Sequence, residues 1–218
     1  VLSESSVLAV PDDTPTDWAA LMEPLSVGML DTRVADLQPG DVPLVVGCGA
    51  IGLAVASALR WRGFGPIVAA DFTPMRRRVA AATGADVVVD PNEEPPFEAW
   101  ARVAKGGQCV VFECVGASGV LNDIFDGAPW MSRVIVAGQN LSDDTLFTAS
   151  AHTKGLNVQF GGMPDPRDYS DALGAIGSGA IEVESWLTGS AALADAVEAF
   201  DASTEVERHT RIVVHPND

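Results

Sequence analysis

The chain has 218 residues, of which 47% are hydrophobic and 20% charged, a composition typical of globular proteins and unlike that of disordered chains. Its formal net charge of -17 has no compensating basic stretch, which argues against nucleic acids and anionic membrane surfaces as partners. No apolar run approaches the roughly 18 residues of a membrane span, and we expect no signal peptide. Cys48, Cys109 and Cys114 form no Cys-x-x-Cys pair, so we expect neither a disulfide framework nor a self-contained zinc site. We predict a cytoplasmic protein.

The start of the chain predicts little regular structure before one helix. Residues 1–38 are interpreted as a loop followed by a helix that begins near Thr16 or Asp17. The turn QPGD at 38–41 then leads into the first of several short apolar runs that are typical of buried strands. We predict strands at 42–47, 66–71, 85–90, 108–114, 132–138 and 156–162.

Ala-rich segments with the period of a helix separate the first of these strands. They predict helices at 50–63, 73–85 and 95–107. Strands that are apolar nearly throughout are typical of a sheet covered on both faces, which favours parallel strands joined by crossover helices. The sequence therefore predicts an α/β fold built on a doubly wound, parallel, six-stranded sheet with flanking helices.

The end of the chain follows a different pattern. Helices are predicted at 168–181 and 192–203, and a last strand at 210–216. The six-stranded sheet is already complete before this strand begins, so we expect the strand to lie in another layer.

The stretch VVGCGAIG at 45–52 contains Gly47, Gly49 and Gly52 in the order Gly-x-Gly-x-x-Gly. By itself the pattern is weak evidence, because the chain has 21 glycines. Its position is more specific, since it follows one predicted strand directly and opens one predicted helix. Glycines there permit a tight turn, a close backbone approach to a pyrophosphate and close packing of the helix on the strand. The N–H groups at the helix start supply anion affinity without a basic side chain.

Asp71 ends the second predicted strand, 19 positions after Gly52, where a dinucleotide-binding fold has the acid that holds the adenine ribose. A carboxylate there accepts hydrogen bonds from the ribose hydroxyls and repels a 2′-phosphate, which favours NAD over NADP. The arginines that follow at 76–78 leave NADP open, because one of them could neutralise a 2′-phosphate. We predict a dinucleotide site with NAD as the cofactor.

Several motifs together identify a family resemblance. They are the segment from Glu23 to Pro91 (EPLSVGML through QPGD and the glycine motif to VVVDP), FECVGASG (112–119), VIVAGQN (134–140), AVEAFD (196–201) and TRIVVHP (210–216). The chain resembles the zinc-containing alcohol dehydrogenases of the medium-chain dehydrogenase/reductase family over nearly its whole length, most strongly up to Gly138. The resemblance implies a Rossmann cofactor-binding domain and hydride transfer between an alcohol and NAD.

The resemblance also implies roles for individual positions along a bound dinucleotide. The pyrophosphate would lie at the glycine turn and the adenine ribose at Asp71 with Arg76 beside it. The cofactor would continue past the end of the fourth strand, and the residues at the end of the fifth strand would back the nicotinamide. The residues that carry these roles are Gly47, Gly49, Ala50, Ile51, Gly52, Asp71, Arg76, Cys114, Val115, Gly116, Val136, Ala137 and Gly138. Cys114 fits a small buried packing residue equally well, and Cys48 fits a packing residue better than a reactive thiol.

The chain departs from this family in its metal ligands. Family members carry an upstream, GroES-like catalytic domain that supplies a zinc-binding Cys and a His-Glu pair, and neither is found here. An open catalytic zinc site needs about three protein ligands. This sequence offers one candidate, Glu23, at a position where relatives have a zinc ligand or a nearby carboxylate. Glu23 also fits a helix N-terminal charge before Pro24, and we expect zinc only if the missing domain is present.

These observations predict three parts of the chain. Residues 1–38 are a remnant of the GroES-like catalytic domain or a linker to it, 39–162 are the dinucleotide-binding domain, and 163–218 are helices and a strand that return toward the catalytic domain. We expect the NAD-binding portion of an alcohol or polyol dehydrogenase, inactive by itself, with a small alcohol as substrate and a homo-oligomeric state, dimer or tetramer. A non-catalytic dinucleotide-binding module and a zinc-free quinone-reductase-like protein remain alternatives.

Overall fold

The computed structural model of the protein describes residues 7–205 and 207–217. The predicted segments 1–38 and 163–218 therefore extend in part beyond the described residues. The helices are α1 (Thr16–Ala19), α2 (Met22–Val34), α3 (Ala50–Trp61), α4 (Pro74–Thr83), α5 (Pro96–Ala104), α6 (Val120–Gly127), α7 (Ala149–Lys154), α8 (Pro166–Gly177) and α9 (Ala196–Ala202). The strands are β1 (Val42–Val46), β2 (Val68–Ala70), β3 (Val87–Val89), β4 (Cys109–Glu113), β5 (Arg133–Val136), β6 (Asn157–Phe160), β7 (Leu187–Ala192) and β8 (Arg211–His215).

Six strands form one parallel sheet in the order β3-β2-β1-β4-β5-β6. The chain builds outward from β1 in one direction and then returns to build outward from β4 in the other. Val46, at the end of β1, is paired with Ala70 of β2 and with Glu113 of β4. The predicted doubly wound, six-stranded Rossmann architecture is confirmed, and the order of strands reverses between β1 and β4.

Both faces of the sheet are buried, as the apolar strands predicted. On one face, α2, α3 and α8 pack over a core that includes Leu25, Leu53 and Trp186, each fully buried. On the other face, α5 and α6 cover a second core, in which the indole Nε1 of Trp100 donates to the backbone oxygen of Val42 at 2.9 Å. The terminal segments are therefore part of the packing, since α2 and Trp186 share one core cluster with the central strands.

The helix predicted to begin near Thr16 or Asp17 is divided into α1 and α2, with Ala20 and Leu21 between them. The reason is Pro24. A continuous helix would need the N–H of residue 24 to donate to the carbonyl of Ala20, but proline has no N–H and its ring crowds that carbonyl. The prediction of one helix was wrong at this point.

Among the α-helices and strands of the described residues, α6, α7 and β7 were not predicted from the sequence. The last strand, expected in another layer, is β8, and it pairs in parallel with β7 in a separate two-stranded sheet. Along residues 7–205 and 207–217, no helix combines the length and the apolar content that crossing a membrane requires.

Candidate functional site

The glycine turn joins β1 to α3 with very little space around two of its three glycines. Gly47 has a φ of +91°, a conformation that side chains other than glycine rarely adopt. A Cβ atom added to Gly52 would overlap the backbone oxygen of Gly47. The first turn of α3 can therefore approach the end of β1 only if position 52 has no side chain.

The third glycine of the turn, Gly49, lies beside open space. It is the N-cap of α3, and no side chain caps this helix start. A Cβ atom added to Gly49 would have Arg76 Nη1 as its nearest neighbour, at 4.0 Å. The first N–H groups of a helix have no acceptor within the helix and carry partial positive charge. This end of α3 therefore offers donors and room to an anion.

Asp71 follows β2 directly and is fixed by two backbone donors. Its Oδ2 accepts a hydrogen bond from the N–H of Cys48 at 2.7 Å, and its Oδ1 accepts one from the N–H of Thr73 at 2.7 Å. The residue is only 8% exposed. Each carboxylate oxygen has a second acceptor position, so Asp71 retains the capacity to accept further hydrogen bonds.

The three consecutive arginines of α4 have different environments. Arg77 is used within the fold, because its Nη1 bonds the backbone oxygens of Asp71 and Phe72 at 2.8 Å each and lies 3.0 Å from Asp90 Oδ2. Arg76 Nη1 lies 3.9 Å from Asp71 Oδ2 and faces the glycine turn, whereas Arg78 is exposed. Arg76 is therefore the arginine of this cluster that shares a site with Asp71.

A cavity of about 640 Å³ opens at the carboxyl ends of β1, β2 and β4. It brings together several predicted residues: Gly47, Gly49, Asp71, Arg76, Cys114 and Val115. Sequence reasoning missed the remainder of its wall, formed mainly by Phe72, Thr73, Pro91, Pro95, Pro96, Phe97, Val120 and Asp123. The sequence feature that could have indicated these residues is the proline-rich run PNEEPPF after the third predicted strand. It gives this side of the cavity a rigid apolar wall.

The other predicted residues lie next to this cavity without lining it in the described part of the chain. Ala50, Ile51 and Gly52 form the first turn of α3. The backbone N–H groups of Ala137 and Gly138 donate to the backbone oxygen of Glu113 at 2.9 and 2.8 Å, so the segment after β5 is joined to the end of β4. The switch point of the sheet is the place between β1 and β4 where the order of strands reverses. Val136, Ala137 and Gly138 lie on the β4–β6 side of it, at the carboxyl end of β5.

Glu113 is a further residue of this region that the sequence did not single out. It is the last residue of β4 and is 2% exposed. Its Oε1 accepts hydrogen bonds from the N–H groups of Val115 and Gly116 at 2.7 and 2.8 Å. Glu113 therefore fixes the backbone that carries Cys114, Val115 and Gly116.

Cys48 lies within the glycine turn, and Cys114, which follows β4, lies beside it. Cys48 is buried, whereas Cys114 is half-buried and lines the cavity. Burial raises the pKa of the Cys48 thiol and that of the Cys114 thiol well above their usual values. Protonated thiols are poor nucleophiles, which supports packing roles for both side chains in addition to the contact of Cys114 with the cavity.

The candidate metal ligand Glu23 lies exposed in the first turn of α2. Burial lowers the pKa of the Arg211 guanidinium on β8, and the negative charge of Glu23 opposes this shift. Within the described ranges, no three His, Cys, Asp or Glu side chains converge on a point where a metal ion could be held. The described residues alone therefore do not supply a catalytic zinc site around Glu23.

Comparison with protein families matches residues 50–178 to the zinc-binding dehydrogenases. Among individual relatives, an (R,R)-butanediol dehydrogenase from Neisseria gonorrhoeae is 29% identical over 212 residues, which cover 95% of this chain and 59% of the relative. A D-xylulose reductase from Morganella morganii is 26% identical over 205 residues, which cover 91% of this chain and 59% of the relative. The chain thus spans about three fifths of the length of the relatives it matches.

Solved structures share the fold. An alcohol dehydrogenase from Escherichia coli CFT073 complexed with NADH matches with a TM-score of 0.84 at 18% identity, over 97% of this chain and 63% of that chain. A zinc-binding dehydrogenase from Sinorhizobium meliloti 1021 bound to NADP matches with a TM-score of 0.81 at 21% identity, over 96% of this chain and 62% of that chain. At these identities the likeness concerns the fold.

Proposed function

The chain belongs to the zinc-binding dehydrogenase family, and from this membership we propose that it is the NAD-binding part of an alcohol or polyol dehydrogenase. The reaction is the reversible transfer of a hydride between a small alcohol and the cofactor. The relatives that support this substrate class are a butanediol dehydrogenase and a xylulose reductase.

The residues of the site fit a dinucleotide. The glycine turn leaves open space beside Gly49 and directs the free N–H groups of α3 toward it. We assign the pyrophosphate to this turn, at Gly47, Gly49 and the first residues of α3. The apolar wall of prolines and Phe97 fits the adenine ring, and Asp71 fits the hydroxyls of its ribose.

NAD is the cofactor favoured by Asp71. Its carboxylate is held in place by the N–H groups of Cys48 and Thr73 and has acceptor capacity left for a ribose diol. A 2′-phosphate would meet this negative charge at close range. Arg76 opposes that preference in part, since it shares the site with Asp71. One structural neighbour carries NADH and another NADP, so the shared fold is compatible with either cofactor. For this chain, the choice depends on the balance between Asp71 and Arg76.

The bound nicotinamide supplies the hydride acceptor and donor of the reaction. The contribution of this chain is orientation: Glu113 fixes the backbone of residues 114–116, and the segment Val136–Gly138 is tied to the same strand. Zinc chemistry would require ligands beyond the described residues, because Glu23 has no partner ligands there. We propose that 1–38 and 163–218 contact a separate catalytic domain and that this chain by itself binds the dinucleotide but oxidises no alcohol. We also propose a cytoplasmic homo-oligomer.

The observation that carries the proposal is the open space at Gly49 between free helix donors and Arg76. It can be tested by calorimetric titration of the chain with NAD and NADP, and by comparison of two variants. Gly49→Ala adds a methyl group where the folded chain has room but where a pyrophosphate would lie. Gly174→Ala, on the exposed face of α8, adds a methyl group with nothing within 4 Å and is the matched control.

We expect Gly49→Ala to remain folded, with a loss of about 1 kcal/mol or less because alanine is a poorer N-cap than glycine, and to bind NAD about tenfold or more weakly, since close approach of the backbone to the pyrophosphate is lost. Gly174→Ala should bind NAD normally. Equal NAD binding by both variants would remove the pyrophosphate assignment. Alcohol oxidation by the isolated chain would contradict the proposal that its catalytic groups lie elsewhere.

A further inference from the structure

Asp31 is a carboxyl group buried in the middle of α2. The residue is 0% exposed, and neither Oδ1 nor Oδ2 has a hydrogen-bond partner among residues 7–205 and 207–217. Burial of a neutral polar group without a hydrogen bond costs on the order of 2–7 kcal/mol, and burial of an ionised carboxylate without one costs more. A charge of this kind persists only when something favours the charged form.

Asp31 lies against the carboxyl ends of strands beyond the switch point of the sheet. A Cβ atom added to Gly161 would overlap Asp31 Oδ1, and Gly161 follows β6 directly. The N–H of Gly161 donates to the backbone oxygen of Val136, the last residue of β5, at 2.9 Å. The charge of Asp31 also raises the pKa of the Cys114 thiol, after β4. One carboxyl group is therefore in contact with, or close to, the ends of β4, β5 and β6.

The charged groups that surround Asp31 on the packed helices do not neutralise it. Asp168 on α8 is a like charge, and it is paired with Arg33, whose Nη2 lies 2.7 Å from Asp168 Oδ2. Arg33 is shared further with Asp165, at 3.2 Å. Burial, and after it the charge of Asp168, raises the pKa of Asp31 to about 7.

The remaining charged neighbours are also engaged elsewhere. Arg62, which follows α3, donates to Thr32 Oγ1 at 3.0 Å and to the backbone oxygen of Met29 at 3.3 Å. Asp171 on α8 interacts electrostatically with both Arg33 and Arg62. Glu113, beside Cys114, binds the N–H groups of residues 115 and 116. Asp31 is thus able to gain or lose a proton near neutral pH.

A dinucleotide in a doubly wound sheet lies across the switch point, with one half over each side. The adenine half is assigned here to the β1–β3 side by Asp71, so the nicotinamide half belongs to the β4–β6 side, where Asp31 is buried. Oxidised nicotinamide carries a positive charge on its ring, and reduced nicotinamide does not. A carboxylate under this end of the site interacts differently with the two oxidation states.

We propose that Asp31 couples a proton to the oxidation state of the bound cofactor: it releases its proton to solvent when NAD⁺ binds, keeps it when NADH binds, and thereby favours NAD⁺. The inference rests on the proposed function. The step is an acid dissociation alone, in which the O–H bond of the carboxyl breaks and water accepts the proton. By linkage, the coupling is reciprocal, so deprotonation of Asp31 strengthens NAD⁺ binding by the same factor.

The test is calorimetric titration of the chain with NAD⁺ and with NADH near pH 7, in two buffers of different ionisation enthalpy. The dependence of the heat on the buffer gives the number of protons released. We expect about half a proton per NAD⁺, because the carboxyl is about half protonated at a pH equal to its pKa. NADH should release close to none. In Asp31→Asn, proton release with NAD⁺ should disappear and the preference for NAD⁺ over NADH should fall about fivefold.

A second measurement needs no variant and so does not depend on the folding of Asp31→Asn. In the unaltered chain, the ratio of NAD⁺ to NADH affinity should rise about fivefold from pH 6 to pH 8. NAD⁺ binding without proton release, or equal release by Asp31→Asn, would overturn the role of Asp31 and leave the proposed function intact. Failure of the unaltered chain to bind either dinucleotide would overturn the proposed function and this inference together.

Discussion

The carboxylate of Asp71 and the backbone N–H of Cys48 are joined by a hydrogen bond of 2.7 Å, which ties the end of β2 to the glycine turn that follows β1. The other carboxylate oxygen accepts from the N–H of Thr73, also at 2.7 Å. The residue proposed to bind the ribose therefore also holds two segments of backbone together. Recognition and stability are coupled at this one side chain.

Asp71→Asn should weaken both functions. Its amide has one acceptor oxygen in place of two, so the N–H of Cys48 or that of Thr73 loses its partner, and we expect a loss of about 1–3 kcal/mol in the free energy of unfolding. The preference for NAD over NADP should fall about tenfold or more, because the repulsion of a 2′-phosphate is removed. Urea denaturation and binding titrations measure the two effects. Asp123→Asn, an exposed acid of the same cavity, is the control and should change stability little.

Gly52→Ala should destabilise the chain before any ligand is considered. The added methyl group overlaps the backbone oxygen of Gly47, and neither backbone segment can move without disturbing the start of α3. We expect a loss of about 2 kcal/mol or more in the free energy of unfolding, measured by denaturant titration. Gly49→Ala is the matched control in the same turn, since its methyl group has no neighbour closer than 4.0 Å. Similar losses in both variants would contradict the packing described for Gly52.

Glu113→Ala should release the segment after β4. The N–H groups of Val115 and Gly116 would lose their shared acceptor, and we expect the free energy of unfolding to fall by about 2–4 kcal/mol. Glu113→Gln retains a side-chain oxygen and should lose about half as much. Limited proteolysis reports whether residues 114–117 become accessible. If the two variants behave alike, the acceptor role assigned to Oε1 is wrong.

Asp31→Asn should change the pH dependence of stability. The pKa of Asp31 is raised from 3.8 to about 7 in the folded chain, so between these values the folded state binds more protons than the unfolded state. The free energy of unfolding therefore falls as the pH rises through this interval, by up to about 1.4 kcal/mol per pH unit from this group. The neutral amide removes that contribution.

Denaturant titrations of both chains between about pH 4 and pH 8 measure the difference directly. We expect Asp31→Asn to gain stability relative to the unaltered chain as the pH rises, by a few kcal/mol in total. The carboxylates and histidines that do not interact with Asp31 titrate alike in both chains and cancel in the difference. A difference that stays constant with pH would contradict a raised pKa for Asp31.

Much of the fold could be predicted from the sequence because it depends on local patterns. Short apolar runs, helical periods and the punctuation of α4 by Pro74 and Gly84 indicate the elements of the parallel sheet. The glycine spacing and the position of Asp71 after β2 predict a turn and an acid at one sheet edge. Each of these patterns is formed by residues of the same element or of the next element along the chain.

Other features follow from contacts between segments far apart in the chain, which no local pattern contains. The fully buried carboxyl of Asp31 meets Gly161, 130 positions later. β8 acquires a partner only when β7 is brought beside it, and the proline wall joins the cavity only because β3 lies two strands from β1. The sequence by itself determined the alternation of elements and the candidate cofactor turn. The tertiary structure decided which charges are buried, since burial depends on what packs against a side chain from elsewhere.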